Sequence, residues 1–353
     1  AGFNMEKVED NLISNTNDNV STTKEDTIDQ SELSNTESFL YKRLKEMFNE
    51  FMLSEIQCLA AFKFIKDSFI NHDKDTERAR RWVLNKVNNK PIPKESSKMQ
   101  YGCPDICPGI TVQPFYDPSK YEFVQELIKN REVIIEELMD LRKTKESSGF
   151  QPYKSPSYAS DIKSKDGLGS LAHDSGEWNV FYLFLHEMKF GPNCEKCPKT
   201  VELIKKLVPR QYFHAFFSAV APKTHIIPHN GPTNRKLRIH IPLVNVDGSR
   251  IRVGDEVKYF KEGEAVIFDD SFNHESWHDG DKTRVNLILD FWHPELTDKE
   301  VKFFRLLQQA RLRNGRRYME SLEKEFGANK GDNYFDVIEK SKEILKNSDW
   351  WVG

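Results

Sequence analysis

Six short stretches between residues 177 and 292 constrain this chain more than anything else in it: EWNVFYLFL (177–185), QYFHAFFSAV (211–220), KLRIHIPLV (236–244), RIRVG (250–254), EAVIF (264–268) and RVNLILDFW (284–292). Each is rich in β-branched and aromatic residues, and turn-forming residues punctuate the intervals, the pattern of consecutive strands. Several short strands at such spacing suggest a β-barrel or a double-sheet jelly roll.

Helical texture flanks this region. Residues 38–90 carry apolar side chains at three- and four-residue spacing, broken at Asn71, His72 and Asp73 and ended by Pro91 and Pro93. One long helix is expected at 119–143, and helix returns over 297–353. The expected class is α+β: a helical appendage over 38–100, a jelly-roll core over 101–296 and a C-terminal helical extension over 297–353. Residues 1–37 hold nine acids, two lysines and a single aromatic, Phe3. So little apolar surface does not offset the entropy of ordering, and disorder is expected. The segment carries a glycosylation sequon, Asn19-Val20-Ser21.

Composition sets outer bounds. A chain of 353 residues can form one large domain with appendages. A net charge of −3 gives no sign of a nucleic-acid partner or an anionic membrane. No apolar run approaches the ~18 residues that span a bilayer, so a membrane anchor is expected only upstream of residue 1. Four of the five cysteines form two close pairs, Cys103/Cys107 and Cys194/Cys197, with Cys58 apart. An all-thiolate zinc site, disulfides in an oxidising compartment and reduced thiols are the three readings; disulfides are preferred.

Chemistry gathers around two histidines, His229 in PHNGPTN and His274 in IFDDSFNHESW, each at a strand end where ligands collect. Asp269 and Asp270 lie just before His274. The familiar iron(II) site needs two histidines and a carboxylate, and that carboxylate often lies two residues after the first histidine, where this chain has Gly231. Either the site is not iron, or two histidines hold it alone. The latter leaves positions for a chelating 2-oxo acid, oxygen and water, with Asp270 acting through the water.

In KLRIHIPLV, Leu237, Ile239, Ile241 and Leu243 share one face, and Arg238 and His240 the other. Facing a pocket, the basic pair suits a carboxylate; spacing alone favours a salt-bridged surface strand. Arg284, Asn286, Ile288 and Asp290 likewise share a face, as do Ser218, Phe216 and His214. An inward arginine near a hydroxyl is a usual way to hold a distal carboxylate.

The segments THIIPHNGPTN, LRIHIPL, GEAVIFDDSFNHESW and DFWHPEL make the region from about Cys103 to Leu296 resemble the oxygenase domain of the aspartyl/asparaginyl β-hydroxylase family. Weaker echoes are ITVQPFYDP, GEWNVFYLFL and PKT at 198–200. The resemblance implies a double-stranded β-helix that uses iron(II), 2-oxoglutarate and O2. It implies that His229 and His274 bind iron and that Asp270 holds the metal-bound water. Arg238 and His240 would meet the C1 carboxylate of 2-oxoglutarate, and Ser218 and Arg284 its distal carboxylate. The implied reaction is hydroxylation of the β-carbon of Asp or Asn in protein substrates, epidermal-growth-factor-like domains of the endoplasmic reticulum lumen.

The chain departs from the family in places. Lys236 stands where the animal enzymes carry an arginine that helps hold the substrate side chain, so Lys236 and Arg238 are the substrate-binding candidates. Cys194 matches one cysteine of a family disulfide whose partner position is Val201, leaving Cys197 or the Cys103/Cys107 pair as replacements. Residues 297–353 run past the usual family end. Two alternatives stand beside the protein hydroxylase: a lipid acyl-chain hydroxylase, as among bacterial relatives, and a non-catalytic binding module. Retention of every position carried over for iron and 2-oxoglutarate argues against the last.

Overall fold

The computed structural model of the protein describes residues 35–88, 90, 92–143, 149–155, 159–326, 334–345 and 350–353. The sequon and most of the segment expected to be disordered lie outside these residues, and Asn35 already begins a helix, Asn35–Glu50. Thirteen strands are described: β1 (Phe115–Tyr116), β2 (Gln151–Pro152), β3 (His173–Ser175), β4 (Trp178–Leu185), β5 (Met188–Lys189), β6 (Gln211–Val220), β7 (Thr224–His229), β8 (Lys236–Val244), β9 (Ser249–Val253), β10 (Glu256–Tyr259), β11 (Val266–Phe268), β12 (His274–His278) and β13 (Arg284–Trp292). All six stretches marked in the sequence contain strands.

The strands form two antiparallel sheets. The larger runs β1-β11-β8-β13-β6-β4-β2, with β5 on β4, and the smaller runs β10-β9-β12-β7-β3. This is the double-stranded β-helix, and flanking helices make the class α+β. One face of the larger sheet packs against helices Glu122–Lys129, Arg131–Lys143, Gly191–Lys196 and Pro198–Leu207. Leu237, Ile239, Ile241 and Leu243 point that way and are fully buried, packed with Val124, Leu127, Ile134 and Ile204. The other face meets the smaller sheet: Phe216 and Ile288 pack with Ile226 of β7, and Val266 and Phe268 with Ile251 and Val253 of β9. The basic face of β8 therefore lines the space between the sheets. Burying both faces explains why β4 and β13 are buried along their whole length.

Each fully buried aliphatic on β8 contributes ~1.5–3 kcal/mol. Ile239→Ala is expected to cost ~2–5 kcal/mol, because the rigid sheet–helix interface cannot collapse into the gap. The check is a lowered urea midpoint with an unchanged slope.

Contacts divide the chain into two units. One comprises Ala1–Pro93, Cys107–Gly109 and Glu295–Met319; the other comprises Lys94–Ile106, Ile110–Pro294 and Glu320–Gly353. The single extension expected over 297–353 is thus split, and packing gives the reason. Phe303 and Phe304 pack on Trp82 at ring distances of 6.2 and 5.4 Å, and Phe303 stacks on Phe64 at 4.8 Å. Ile338 of helix Tyr334–Ser341 instead joins Trp178, Tyr182 and Phe216, and Trp350 packs 5.0 Å from Phe150.

Two helical expectations need correction. The helix expected at 119–143 is two helices, because Asn130 stops the first by donating its side-chain N–H to the Glu126 carbonyl at 2.8 Å. The first N-terminal run also breaks, at 51–54, where Met52 takes a left-handed φ of 56° and Ser54 caps helix Glu55–Asn71. The expected break at His72 is present, in a left-handed cap.

All five cysteines are buried free thiols, so the expected disulfides are absent from this structure. Cys194 donates to the Leu183 carbonyl at 3.3 Å, and burial pushes the Cys103 and Cys197 thiols up to about 12. Among the described residues, no helix is long and apolar enough to cross a membrane.

Candidate active site

β7 ends on His229 and β12 begins on His274, and the antiparallel register sets the two opposite each other. Their ring centroids lie 4.1 Å apart. Each Nδ1 donates to the carbonyl two residues back, His229 to Ile227 and His274 to Phe272, both at 2.8 Å. That fixes the tautomer and leaves Nε2 as the lone-pair atom, the form a metal ligand requires. Burial lowers the pKa of both rings, and for His274 the neighbouring His229 adds to the effect. Asn230 ties the two loops together, donating to the carbonyls of Met99 at 2.9 Å and Ser271 at 2.8 Å.

Gly231 packs against Asp270. A Cβ at 231 would lie 2.5 Å from Asp270 Cγ and 2.6 and 2.7 Å from its carboxylate oxygens. The room a ligating side chain at 231 would need is filled by Asp270. Among the described residues, no group of three or more His, Cys, Asp or Glu is arranged to hold a metal. The donor set is two imidazoles with a carboxylate beside them, and it fits a metal held by two histidines. Asp270 Oδ2 is engaged, by Lys236 Nζ at 2.7 Å and Arg238 Nη1 at 3.3 Å, while its buried Oδ1 has no partner in the structure. An orphaned carboxylate oxygen beside two lone-pair imidazoles suits a metal-bound water. Asp269 faces elsewhere, accepting from the Ser271 N–H at 2.9 Å; burial raises its carboxyl to about 7.

Cross-strand register sorts the interior into layers. Arg284 lies opposite Val220, which lies opposite Trp178; Asn286 lies between Ser218 and Pro242. Next comes a mainly apolar layer of Tyr182, Phe216, Ile288 and His240, and then a charged layer of His214, Asp290 and Arg238. Lys236 follows on the same face of β8.

The Arg284 layer is built for an anion. Arg284 is 1% exposed, and its Nε and Nη1 have no hydrogen-bond partner. Burial alone lowers its pKa to about 9, and its guanidinium lies 5.3 Å from the Phe260 ring. Buried Asn286 has both amide atoms unpartnered, and His240 Nδ1 is likewise unpartnered while its ring stacks on Phe260 at 5.5 Å. Ser218 accepts from the Trp178 indole at 2.9 Å, which leaves its own O–H to donate. Such a set of buried, unsatisfied groups is costly unless a ligand completes it. Two carboxylate oxygens from a ligand would accept from its donors, Arg284, the Ser218 O–H and Asn286 Nδ2, so these residues fit the distal end of 2-oxoglutarate.

The charged layer differs from expectation. Arg238 is not an open fork: Nε and Nη2 donate to Asp290 at 2.8 and 2.9 Å. Lys236 is fully buried and lies between Asp270 at 2.7 Å and Asp290 at 2.9 Å, so its ammonium is not displayed for a substrate. Burial opposes the charge on Asp290, yet Arg238 and Lys236 outweigh it and hold the carboxyl well below the usual range. Asp290, Trp178 and Phe260 received no site role from the sequence, although the alternation of β13 already put Asp290 on the same face as Arg284.

Residues 128–294 match the family described as aspartyl/asparaginyl beta-hydroxylase. The mouse aspartyl/asparaginyl beta-hydroxylase (Mus musculus) is 34% identical over 200 residues, covering 54% of this chain and 25% of that protein. The human aspartate beta-hydroxylase domain-containing protein 2 (Homo sapiens) is 38% identical over 133 residues, 36% of each chain. The ornithine lipid ester-linked acyl 2-hydroxylase of Rhizobium tropici is 33% identical over 185 residues, covering 51% of this chain and 61% of that protein. The alignment spans only a quarter of the mouse protein, so the likeness concerns the jelly-roll domain. Through that domain the chain is similar to the aspartyl/asparaginyl β-hydroxylases.

Proposed function

We propose that this protein is an oxygenase that uses iron(II), 2-oxoglutarate and O2 to hydroxylate the β-carbon of Asp or Asn residues in a protein substrate. The observation that carries the reading is the pairing of His229 with His274, both with Nδ1 committed to a carbonyl, beside the unpartnered Oδ1 of Asp270. The similarity of residues 128–294 to the aspartyl/asparaginyl beta-hydroxylase family supports hydroxylase chemistry. In this reading His229 and His274 hold iron(II) through Nε2, and Asp270 accepts a hydrogen bond from a metal-bound water. The metal with its 2-oxo acid supplies oxygen activation. The protein contributes orientation and exclusion of water. Arg284 and Ser218 bind the distal carboxylate of 2-oxoglutarate, and His240 faces its other end. Arg238 reaches the ligands only through Nη1, since Asp290 holds the rest of its fork.

Substrates and compartment belong to the same proposal: disulfide-rich growth-factor-like domains, in the endoplasmic reticulum lumen. A second reading, hydroxylation of a lipid acyl chain, draws support from the Rhizobium relative, whose similarity extends over 61% of its length. The test is mass spectrometry of Asp- and Asn-containing growth-factor-like peptides after incubation with iron(II) and 2-oxoglutarate, with succinate followed alongside. A +16 product that needs His274 is expected. Succinate without peptide oxidation would mean a live oxygenase with another substrate, and no succinate at all would overturn the oxygenase.

Arg284→Met offers a check on the cosubstrate. Loss of a charge-assisted pair should raise the 2-oxoglutarate requirement by ~1.5–3 kcal/mol, roughly 10–150-fold. The same change removes an unpaired buried charge, so the ligand-free variant should melt no lower than the parent. An unchanged 2-oxoglutarate dependence would take Arg284 out of the site.

A further inference from the structure

Asp290 is the hub of the charged layer. It takes both bonds of the Arg238 fork, lies 2.9 Å from Lys236 Nζ and 3.3 Å from His214 Nδ1, and is 2% exposed. Lys236 and Arg238 bring two positive charges to this layer; Asp270 and Asp290 bring two negative ones. The balance depends on Asp290. Without it, two cations, Lys236 buried and Arg238 partly buried, would share one carboxylate, Asp270, and their surplus charge would oppose any cation at His229 and His274. Little solvent reaches this layer, so the repulsion would be weakly screened.

Resting on the metal-site reading above, we propose that Asp290 is the positioning residue of this centre. By neutralising Lys236 and Arg238, it keeps Asp270 Oδ1 unpartnered and the histidine pair receptive to a divalent cation. Asp290 touches neither histidine and acts through its two cations. Its place opposite Arg238 is set by the β13–β8 register, and its place opposite His214 by the β13–β6 register.

Cobalt(II) binding to the full chain tests this without turnover, by calorimetry and visible absorption. The parent should bind cobalt(II), and His229→Ala should lose it; a parent that binds none overturns the metal-site reading and this inference together. Asp290→Asn, almost the same shape, should weaken cobalt binding by at least ~10-fold. The decisive variant adds Lys236→Met to Asp290→Asn. The layer is then balanced again, Arg238 against Asp270, and cobalt affinity should return to within ~3-fold of the parent. A merely structural Asp290 predicts a double variant no better than the single one, and that result overturns the inference. So does an unchanged affinity in Asp290→Asn, which leaves the metal site itself standing. If Asp290→Asn does not fold, the double variant decides: folded and binding cobalt, it supports the proposal; unfolded, it ends it.

Discussion

His274→Ala should abolish metal-dependent turnover. With only two histidines and no third protein ligand arranged among the described residues, removing one leaves a single imidazole. The expected loss exceeds the ~100-fold typical of losing a group that only supports a ligand. The fold should survive, because His274 lies at the start of β12 and its Nδ1 bond to Phe272 is local. Two readings separate chemistry from collapse. Iron(II) or cobalt(II) should raise the melting temperature of the parent, since a ligand that binds only the folded state stabilises it. It should leave that of His274→Ala unchanged. Near-parental turnover in the variant would remove His274 from the metal site.

The second large effect falls on a residue with no side chain. Gly231→Ala forces a Cβ to within 2.5 Å of Asp270 Cγ. Asp270 cannot swing aside freely, because Lys236 and Arg238 hold its Oδ2. Turnover should fall by ~10–100-fold, through displacement of the carboxylate beside the proposed metal site. Gly231→Asp, which writes in the carboxylate that many iron sites use, should fare no better. Its side chain would enter the space Asp270 fills, and two carboxylates there would repel each other. Cobalt spectra and initial rates on both variants check this. A Gly231→Asp protein that binds metal more tightly and still turns over would show that Asp270 yields.

Local pattern carried much of this molecule into view. Alternation on β8 separates Leu237, Ile239, Ile241 and Leu243 from Lys236, Arg238 and His240, and the structure divides them the same way. The two histidine motifs mark strand ends that lie side by side. What alternation does not carry is which face looks inward: spacing alone favoured a surface strand for Arg238 and His240. Nor does it carry cross-strand partners. Asp290 lies 52 residues from Arg238 along the chain, and only the pairing of β13 with β8 joins them. The family resemblance made Lys236 a substrate-binding candidate, and the carboxylates that enclose it come from distant segments. The split of the C-terminal region likewise follows from Phe303 and Ile338 meeting different partners, which no local pattern records.

The layer of Tyr182, Phe216, Ile288 and His240 has a consequence for how such a domain can diversify. It sets largely hydrocarbon and aromatic bulk between the anion-hungry end at Arg284 and the self-balanced charges at Asp290. The two ends are therefore separately tunable sockets. Exchanges around Lys236 can retune the charged end while the unsatisfied donors at the Arg284 end stay as they were.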